Sequence, residues 1–299
     1  MNKILILGAT GNLGGLTAGL LAANPDVTLR LASSRAAGGA ALRERFPKAE
    51  VVQADWYDAD SLKAVVAGVD RVFVITPDFV TDETVVTPNI IGAVRAAGSV
   101  KQLLRLIAIP PGLTAAQLAP DELATQCGAA MHMVAKPLLD ASGLPLTYLN
   151  VPCWIMFNLP WFLAEDVKTR RRLAMPAKSD SARLWVSETD IAAVAARLLT
   201  DPVAEHVGKE HRLTGTKRYA YADLAELLSE VLGDRVTYVD DDTSLRRAMG
   251  DNFDTLMTYF KHETRDYGNV PSTDTVSRLL GQPQMTLRDY VVANQNLFR

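Results

Sequence analysis

Near its start the chain reads Ile4-Leu5-Ile6-Leu7 and runs straight into Gly8-Ala9-Thr10-Gly11-Asn12-Leu13-Gly14-Gly15. Four consecutive apolar residues suit a parallel strand buried on both faces, and Leu13, Leu16, Leu20 and Leu21 then recur at helical spacing. Gly8, Gly11 and Gly14 therefore stand at a strand-to-helix turn. Glycine there permits a tight turn with positive φ, lets the backbone approach a pyrophosphate, and leaves the anion on the N–H groups of a helix N-terminus. A side chain at Gly8 or Gly11 would block that approach. The arrangement predicts a dinucleotide site, against the plainer alternative of a structural turn in an α/β protein.

The rest of the first half repeats the strand–helix alternation. Strands are expected at Ile4–Leu7, Thr28–Ala32, Glu50–Gln53, Arg71–Ile75, Leu103–Ile107 and Leu146–Asn150. Helices are expected at Asn12–Ala23, Gly38–Arg45, Ser61–Ala67, Pro88–Ala97 and Ala129–Ser142, with Gly68, Gly98 and Gly143 as left-handed caps. This is the pattern of a doubly wound, Rossmann-like parallel sheet with helices on both faces. A length of 299 residues suggests two domains. The expected division is 1–152 plus about 184–214 for the dinucleotide-binding domain, and about 153–183 plus 215–299 for a smaller, mostly helical substrate domain. Tyr221–Leu232, with Leu224, Leu227, Leu228 and Val231 on one face, reads as an amphipathic helix of that domain.

Several function classes are excluded or made improbable. A net charge of −3 without a long basic tract argues against a nucleic-acid surface, so Arg170-Arg171-Arg172 reads as a solvated face. No segment has the roughly 18 uninterrupted apolar residues of a membrane span, and the first strand begins too early for a signal peptide, which points to the cytoplasm. Cys127 and Cys153 have no metal-like spacing and are expected as free thiols. Asp240-Asp241-Asp242 reads as a solvated turn, and no metal site is expected.

Strand ends then narrow the ligand. A free 2′-hydroxyl is usually met by an acid after the second strand and a 2′-phosphate by arginine, and here the strand ends Ser33-Ser34-Arg35, so NADP(H) is expected over NAD(H). Asp55 and Trp56 stand at the third strand end, where a carboxylate could accept the adenine amino group and an indole could lie beside the ring, although a surface turn is an equal reading. Thr76 and Pro77 close the fourth strand at the edge where ligands bind in open sheets.

The run Gly8–Gly14, Arg35, Gln53-Ala54-Asp55-Trp56, Ser142-Gly143-Leu144-Pro145-Leu146-Thr147-Tyr148-Leu149, Val151-Pro152, Asn158, Val186–Ala192 and Thr273–Gly281 together resemble the NmrA-like atypical short-chain dehydrogenases over essentially the whole chain. Within them the chain looks closest to NADPH-dependent quinone oxidoreductases and triphenylmethane-dye reductases, a branch that also contains non-catalytic nicotinamide sensors. The resemblance implies a phosphate loop at Gly8, Thr10, Gly11, Asn12, Leu13 and Gly14, a 2′-phosphate contact at Arg35, adenine-side residues Asp55 and Trp56, and Pro152 near the nicotinamide. Cys153 replaces the glycine that commonly follows, which raises a reactive-thiol role.

Ordinary short-chain dehydrogenases carry a serine after the fifth strand and a tyrosine four residues before a lysine. Here the strand ends Ile107-Ala108 and the helix reads His132-Met133-Val134-Ala135-Lys136, so serine and tyrosine are missing. Lys136 is expected at the cofactor ribose, and His132, one turn earlier on the same face, is a candidate proton donor. The run Trp154-Ile155-Met156-Phe157-Asn158-Leu159-Pro160-Trp161-Phe162 is aromatic for a chain with 7% aromatics. Cys153, Trp154, Phe157 and Trp161 are the candidate substrate residues, with a small-domain core or an oligomer contact such as a homodimer's as the alternative. The function expected is hydride transfer from NAD(P)H to a conjugated apolar acceptor, a quinone, dye or enone. The competing expectation is a redox sensor with a protein partner, and a third is an isomerising or epimerising enzyme.

Overall fold

The computed structural model describes residues 2–299, the side chain of Thr264 excepted. The chain forms two compact units, Met1–Val151 with Ile191–Arg212 and Pro152–Asp190 with Leu213–Arg299. The first unit opens with β1 (Asn2–Leu7), α1 (Asn12–Ala22), β2 (Val27–Ser33), α2 (Ala36–Arg45), β3 (Glu50–Gln53) and α3 (Ala59–Val66). It continues with β4 (Arg71–Val74), α4 (Glu83–Ala97), β5 (Gln102–Ile107), α5 (Pro120–Ala124), α6 (Gly128–Asp140) and β6 (Leu146–Asn150). The chain then passes into the second unit with β7 (Trp154–Ile155), α7 (Asn158–Arg170), β8 (Arg172–Ala174) and β9 (Ala182–Val186). Helix α8 (Glu188–Leu198) carries it back to the first unit, where β10 (Glu210–Arg212) pairs in parallel with β6.

The sheet of the first unit has seven strands in the order β10-β6-β5-β4-β1-β2-β3, all parallel. The chain winds outward from β1 in both directions, which places the switch point between the carboxyl ends of β1 and β4. Leu5, Leu7, Val72, Val74, Leu103 and Ile107 meet Leu62, Val65 and Val66 of α3, Val86, Ile90 and Val94 of α4, and Ala135 and Leu139 of α6 in one core. Ile4, Ile6, Leu31 and Phe73 alternate with them and are equally buried, so both faces of the sheet are covered.

Most predicted elements appear within a few residues of the expected bounds. Helix α4 is the exception, beginning at Glu83 rather than at Pro88. Asp82 caps it by accepting from the N–H of Thr84, and Pro88 lies inside the helix. An aspartate three residues before an apolar Val85-Val86 was the stronger start signal.

The second unit is completed by β11 (Arg218–Ala220), α9 (Tyr221–Leu232), β12 (Thr237–Val239), α10 (Thr243–Met249), α11 (Phe253–Tyr267), α12 (Thr275–Leu280) and α13 (Leu287–Ala293). Its strands form a three-stranded sheet, β11-β9-β7, and a parallel pair, β12 with β8. Because β9 pairs with β7 and β11, residues 184–190 fall in this unit rather than in the dinucleotide-binding domain, where they were expected.

The arginine run does not form a free solvated face. Arg172 and Arg170 both reach the carboxylate of Asp166, at 3.1 and 3.5 Å, and Arg171 donates to Asp234 at 2.8 Å. Asp166 is 1% exposed and also accepts from Ser244, so the basic run stitches α7 to α10 and β8.

Candidate functional site

The glycine turn is built by two different requirements. Gly8 has φ of 98°, and a Cβ on it would lie 2.3 Å from the carbonyl oxygen of Ile75, where β1 and β4 end side by side. A Cβ on Gly14 would lie 2.2 Å from the carbonyl oxygen of Gly8. Both glycines are therefore demanded by the protein's own packing. Gly11 differs: its φ is −77°, and a Cβ there would meet only the Gly8 oxygen, at 3.4 Å, an ordinary contact.

Gly11 is exposed at the N-cap of α1, and no side chain caps the helix. The first N–H groups of a helix have no partner within it, so those of Asn12, Leu13 and Gly14 form an open anion cradle. Room that the fold does not need, facing uncapped N–H groups, fits the pyrophosphate of a dinucleotide.

The turn after β2 closes on this loop. A Cβ on Gly38 would lie 2.5 Å from Ser33 Oγ and 3.0 Å from Thr10 Cγ2, so the two segments touch. Ser33 Oγ donates to the carbonyl of Arg35 at 2.8 Å and so shapes the turn. Arg35 is exposed, and among the described residues no ion pair or hydrogen bond engages its guanidinium. At the end of β3, Asp55 accepts from the N–H of Tyr57 at 2.9 Å, and Trp56 is packed partly against the core. Pro77 is exposed at the end of β4.

Thr76 turns inward instead. Its hydroxyl donates to Glu83 at 2.7 Å and accepts from Arg105 at 2.9 Å. Arg105 and Glu83, 2% and 0% exposed, form an ion pair under the carboxyl edge of the sheet. The arginine holds the Glu83 carboxyl below its ordinary range despite burial, with help from the Thr87 hydroxyl at 2.5 Å. The sequence carried a signal for this pair, because an arginine inside Leu103–Ile107 must find a partner once the strand is buried.

His132 is part of the same buried layer. Its Nδ1 accepts from the N–H of Ala108 at 3.0 Å, and burial, aided by Arg105, lowers its pKa to about 3. It is a neutral ring that holds the end of β5, with no charge to give at neutral pH. Asn150 completes the hold: its side chain accepts from the N–H of Ile109 and donates to the Ile109 carbonyl, each at 2.8 Å. The positions of the missing serine and tyrosine are thus occupied by backbone support.

Lys136 lies one turn further along α6, where its Nζ donates to Asp140 at 2.9 Å and sits 4.5 Å from the centre of the Tyr148 ring. Tyr148 in turn donates to Asp140 at 2.7 Å. The lysine expected at the ribose is thus engaged by its own helix and by β6.

In the second unit Pro152 is buried, and Cys153 donates weakly to the Leu213 carbonyl, with burial pushing its thiol up to about 12. A neutral thiol is a poor nucleophile, which weighs against a reactive-thiol role. Trp154, Phe157 and Trp161 do not share one helix, since Trp154 is in β7 and Phe157 precedes α7. Trp154 stacks on Phe260, with centroids 5.6 Å apart, contacts Trp185 and Phe162, and donates to Glu263 at 2.9 Å. It is held as a packing residue. Trp161 is 51% exposed and stacks between Phe157 and Phe162, at 5.9 and 4.6 Å.

The model of the NmrA-like family matches residues 1–290. The chain belongs to the NmrA-like family. A relative, the NAD(P)H azoreductase of Xenophilus azovorans, is 26% identical over 302 residues, covering 99% of each chain. Quinone oxidoreductase 2 of Escherichia coli (strain K12) is 26% identical over 247 residues, covering 81% of each. The solved Escherichia coli NADPH-dependent quinone oxidoreductase in complex with NADPH superposes with a TM-score of 0.78 at 25% identity, covering 98% of this chain and 99% of that one. A negative transcriptional regulator, Nmra, shares the fold with a TM-score of 0.76 at 17% identity, covering 97% of this chain and 94% of its own. Among the described residues of this NmrA-like chain, no helix is long and apolar enough to cross a membrane.

Proposed function

We propose that the chain is an NAD(P)H-dependent reductase that prefers NADP(H) and passes hydride to a conjugated apolar acceptor such as a quinone or a dye. The observation that carries this reading is the state of the polar groups at the carboxyl edge. His132 is neutral and bonded to Ala108, Asn150 is bonded to Ile109, and Thr76 is bonded to Glu83 and Arg105. None is free to act as an acid. A quinone or dye spreads incoming charge over its conjugated system and takes its proton from water, so it needs no such acid.

The reduced cofactor, when bound, supplies the hydride. The chain's own residues hold it: the N–H groups of Asn12, Leu13 and Gly14 take the pyrophosphate, Arg35 takes the 2′-phosphate, and Asp55 and Trp56 face the adenine. Within the second unit, Trp161 is an open ring on which a flat apolar molecule could stack. The azoreductase and the quinone oxidoreductase are redox enzymes by name, whereas the regulator shares only the fold at 17% identity. The sensor reading therefore stands second.

The test is oxidation of NADPH and of NADH followed at 340 nm against quinones, azo and triarylmethane dyes, enones and aldehydes. Turnover is expected with quinones or dyes and NADPH, and Arg35→Ala should cut the preference for NADPH about tenfold, the size of one charge-assisted contact. Tight NADPH binding with no acceptor reduced would instead favour the sensor.

A further inference from the structure

Tyr57 was not singled out by any motif, yet its hydroxyl joins the turn after β3 to the loop after β4. It donates to the carbonyl of Val80 at 2.9 Å and accepts from the N–H of Asp82 at 3.0 Å. Tyr57 itself belongs to the turn after β3, where Asp55 holds its N–H. Val80 and Asp82 belong to the loop between β4 and α4. A second contact repeats the tie, since Asn89 of α4 donates to the carbonyl of Trp56 at 3.3 Å.

The far side of the same loop is anchored as well. Phe79 donates its N–H to the carbonyl of Gln126 at 2.9 Å, and Asp78 accepts from the N–H of Gly128 at 2.5 Å. Phe79 and Gln126 have φ of 63° and 50°, a left-handed conformation that residues with side chains adopt where their surroundings impose it. Residues 77–82 are thus a strap across the carboxyl edge, fixed to 126–128 at one side and to Tyr57 at the other. The strap leaves β4 next to Ile75, whose carbonyl abuts Gly8.

A phenol that is half exposed and has no core packing to do, but satisfies one carbonyl and one N–H of another loop, acts as a fastener. We infer that Tyr57 is a positioning residue for the dinucleotide, its hydroxyl fixing the turn at Asp55-Trp56 to the strap after β4 before the ligand arrives. The inference rests on the nucleotide reading of the site. Its physical basis is preorganisation: a rim already ordered loses less conformational freedom when the ligand binds.

Tyr57→Phe removes the hydroxyl alone. In the full chain, the variant should bind NADPH about five- to tenfold more weakly and bind 2′,5′-ADP more weakly by the same factor. With any acceptor that is reduced, KM for NADPH should rise while kcat stays. The melting temperature of the cofactor-free protein should stay within about 2 °C, and amide exchange should quicken in residues 77–82. Unchanged NADPH affinity in Tyr57→Phe, with wild type binding normally, overturns the inference while leaving the nucleotide reading standing. Failure of wild type to bind either NADPH or NADH overturns both. A large drop in melting temperature with weakened binding marks Tyr57 as merely structural and also overturns it.

Discussion

His132 is 7% exposed, and the fold favours its neutral form. Folded, the ring takes up its proton at about pH 3, against an ordinary value of 6.5. Between those values the unfolded chain binds more protons than the native one, so stability falls as pH falls through the window. Glu83, held low by Arg105, adds a loss of its own below its ordinary 4.5. Burial raises the carboxyls of Asp78 and Asp190, which work in the opposite sense, so the share of His132 between about 6.5 and 4.5 is read as a difference from wild type. In His132→Asn, whose amide can still accept from Ala108, the slope of unfolding free energy against pH should flatten in that interval. Denaturant titrations at half-unit steps would check it, and an unchanged slope would remove the buried-neutral assignment. The Arg105–Glu83 pair offers a harsher probe. Arg105→Met leaves a buried carboxylate without its cation and should cost about 3–5 kcal/mol, read by the same titrations.

At the scale of elements, the turn from β1 to α1 separates what the fold needs from what a ligand needs. Gly8→Ala and Gly14→Ala each drive a Cβ into a backbone carbonyl, at 2.3 and 2.2 Å, and Gly8 also has positive φ. Each should destabilise by about 3 kcal/mol or more, the upper end for overpacking. Gly11→Ala has the room and an ordinary φ. It should melt within about 2 °C of wild type and lose most of its NADPH binding, and calorimetry on the three variants would separate the effects. The same turn shows why the fold was legible in the sequence. Ile4–Leu7 must be buried on both faces, and such a strand followed by Gly8 and an amphipathic helix has few alternatives. For the candidate site the sequence pointed to backbone positions, Gly8–Gly14 and the turn at Arg35, whose proposed contacts need no partner distant in sequence. What His132, Lys136 and Trp154 do depends on partners distant in sequence: Arg105 and Ala108 for the first, Tyr148 for the second, Glu263 and Phe260 for the third. Spacing along one helix carries no information about such partners. Tyr57 lay hidden for the same reason, because its contacts are 23 and 25 residues away.

At the scale of the whole molecule, the two units are each made from separated stretches, and the chain passes between them after Val151, Asp190 and Arg212. The last passage but one brings in α8 and β10, and β10 covers the outer edge of β6 with three parallel pairs. A strand only three residues long is a poor template for further pairing, so the sheet ends safely there. A fragment cut after residue 151 would look like a natural nucleotide-binding domain and would lack that cover. It would display five buried residues of β6, Leu146–Asn150, as an open edge. Expressed alone, it should aggregate by sheet-to-sheet addition, while a fusion of 1–151 to 188–212 through a flexible linker should stay soluble, as light scattering would report. For anyone exchanging parts among such proteins, β10 makes the practical unit of inheritance a discontinuous one: the seam that can be cut does not coincide with the order in which the gene is read.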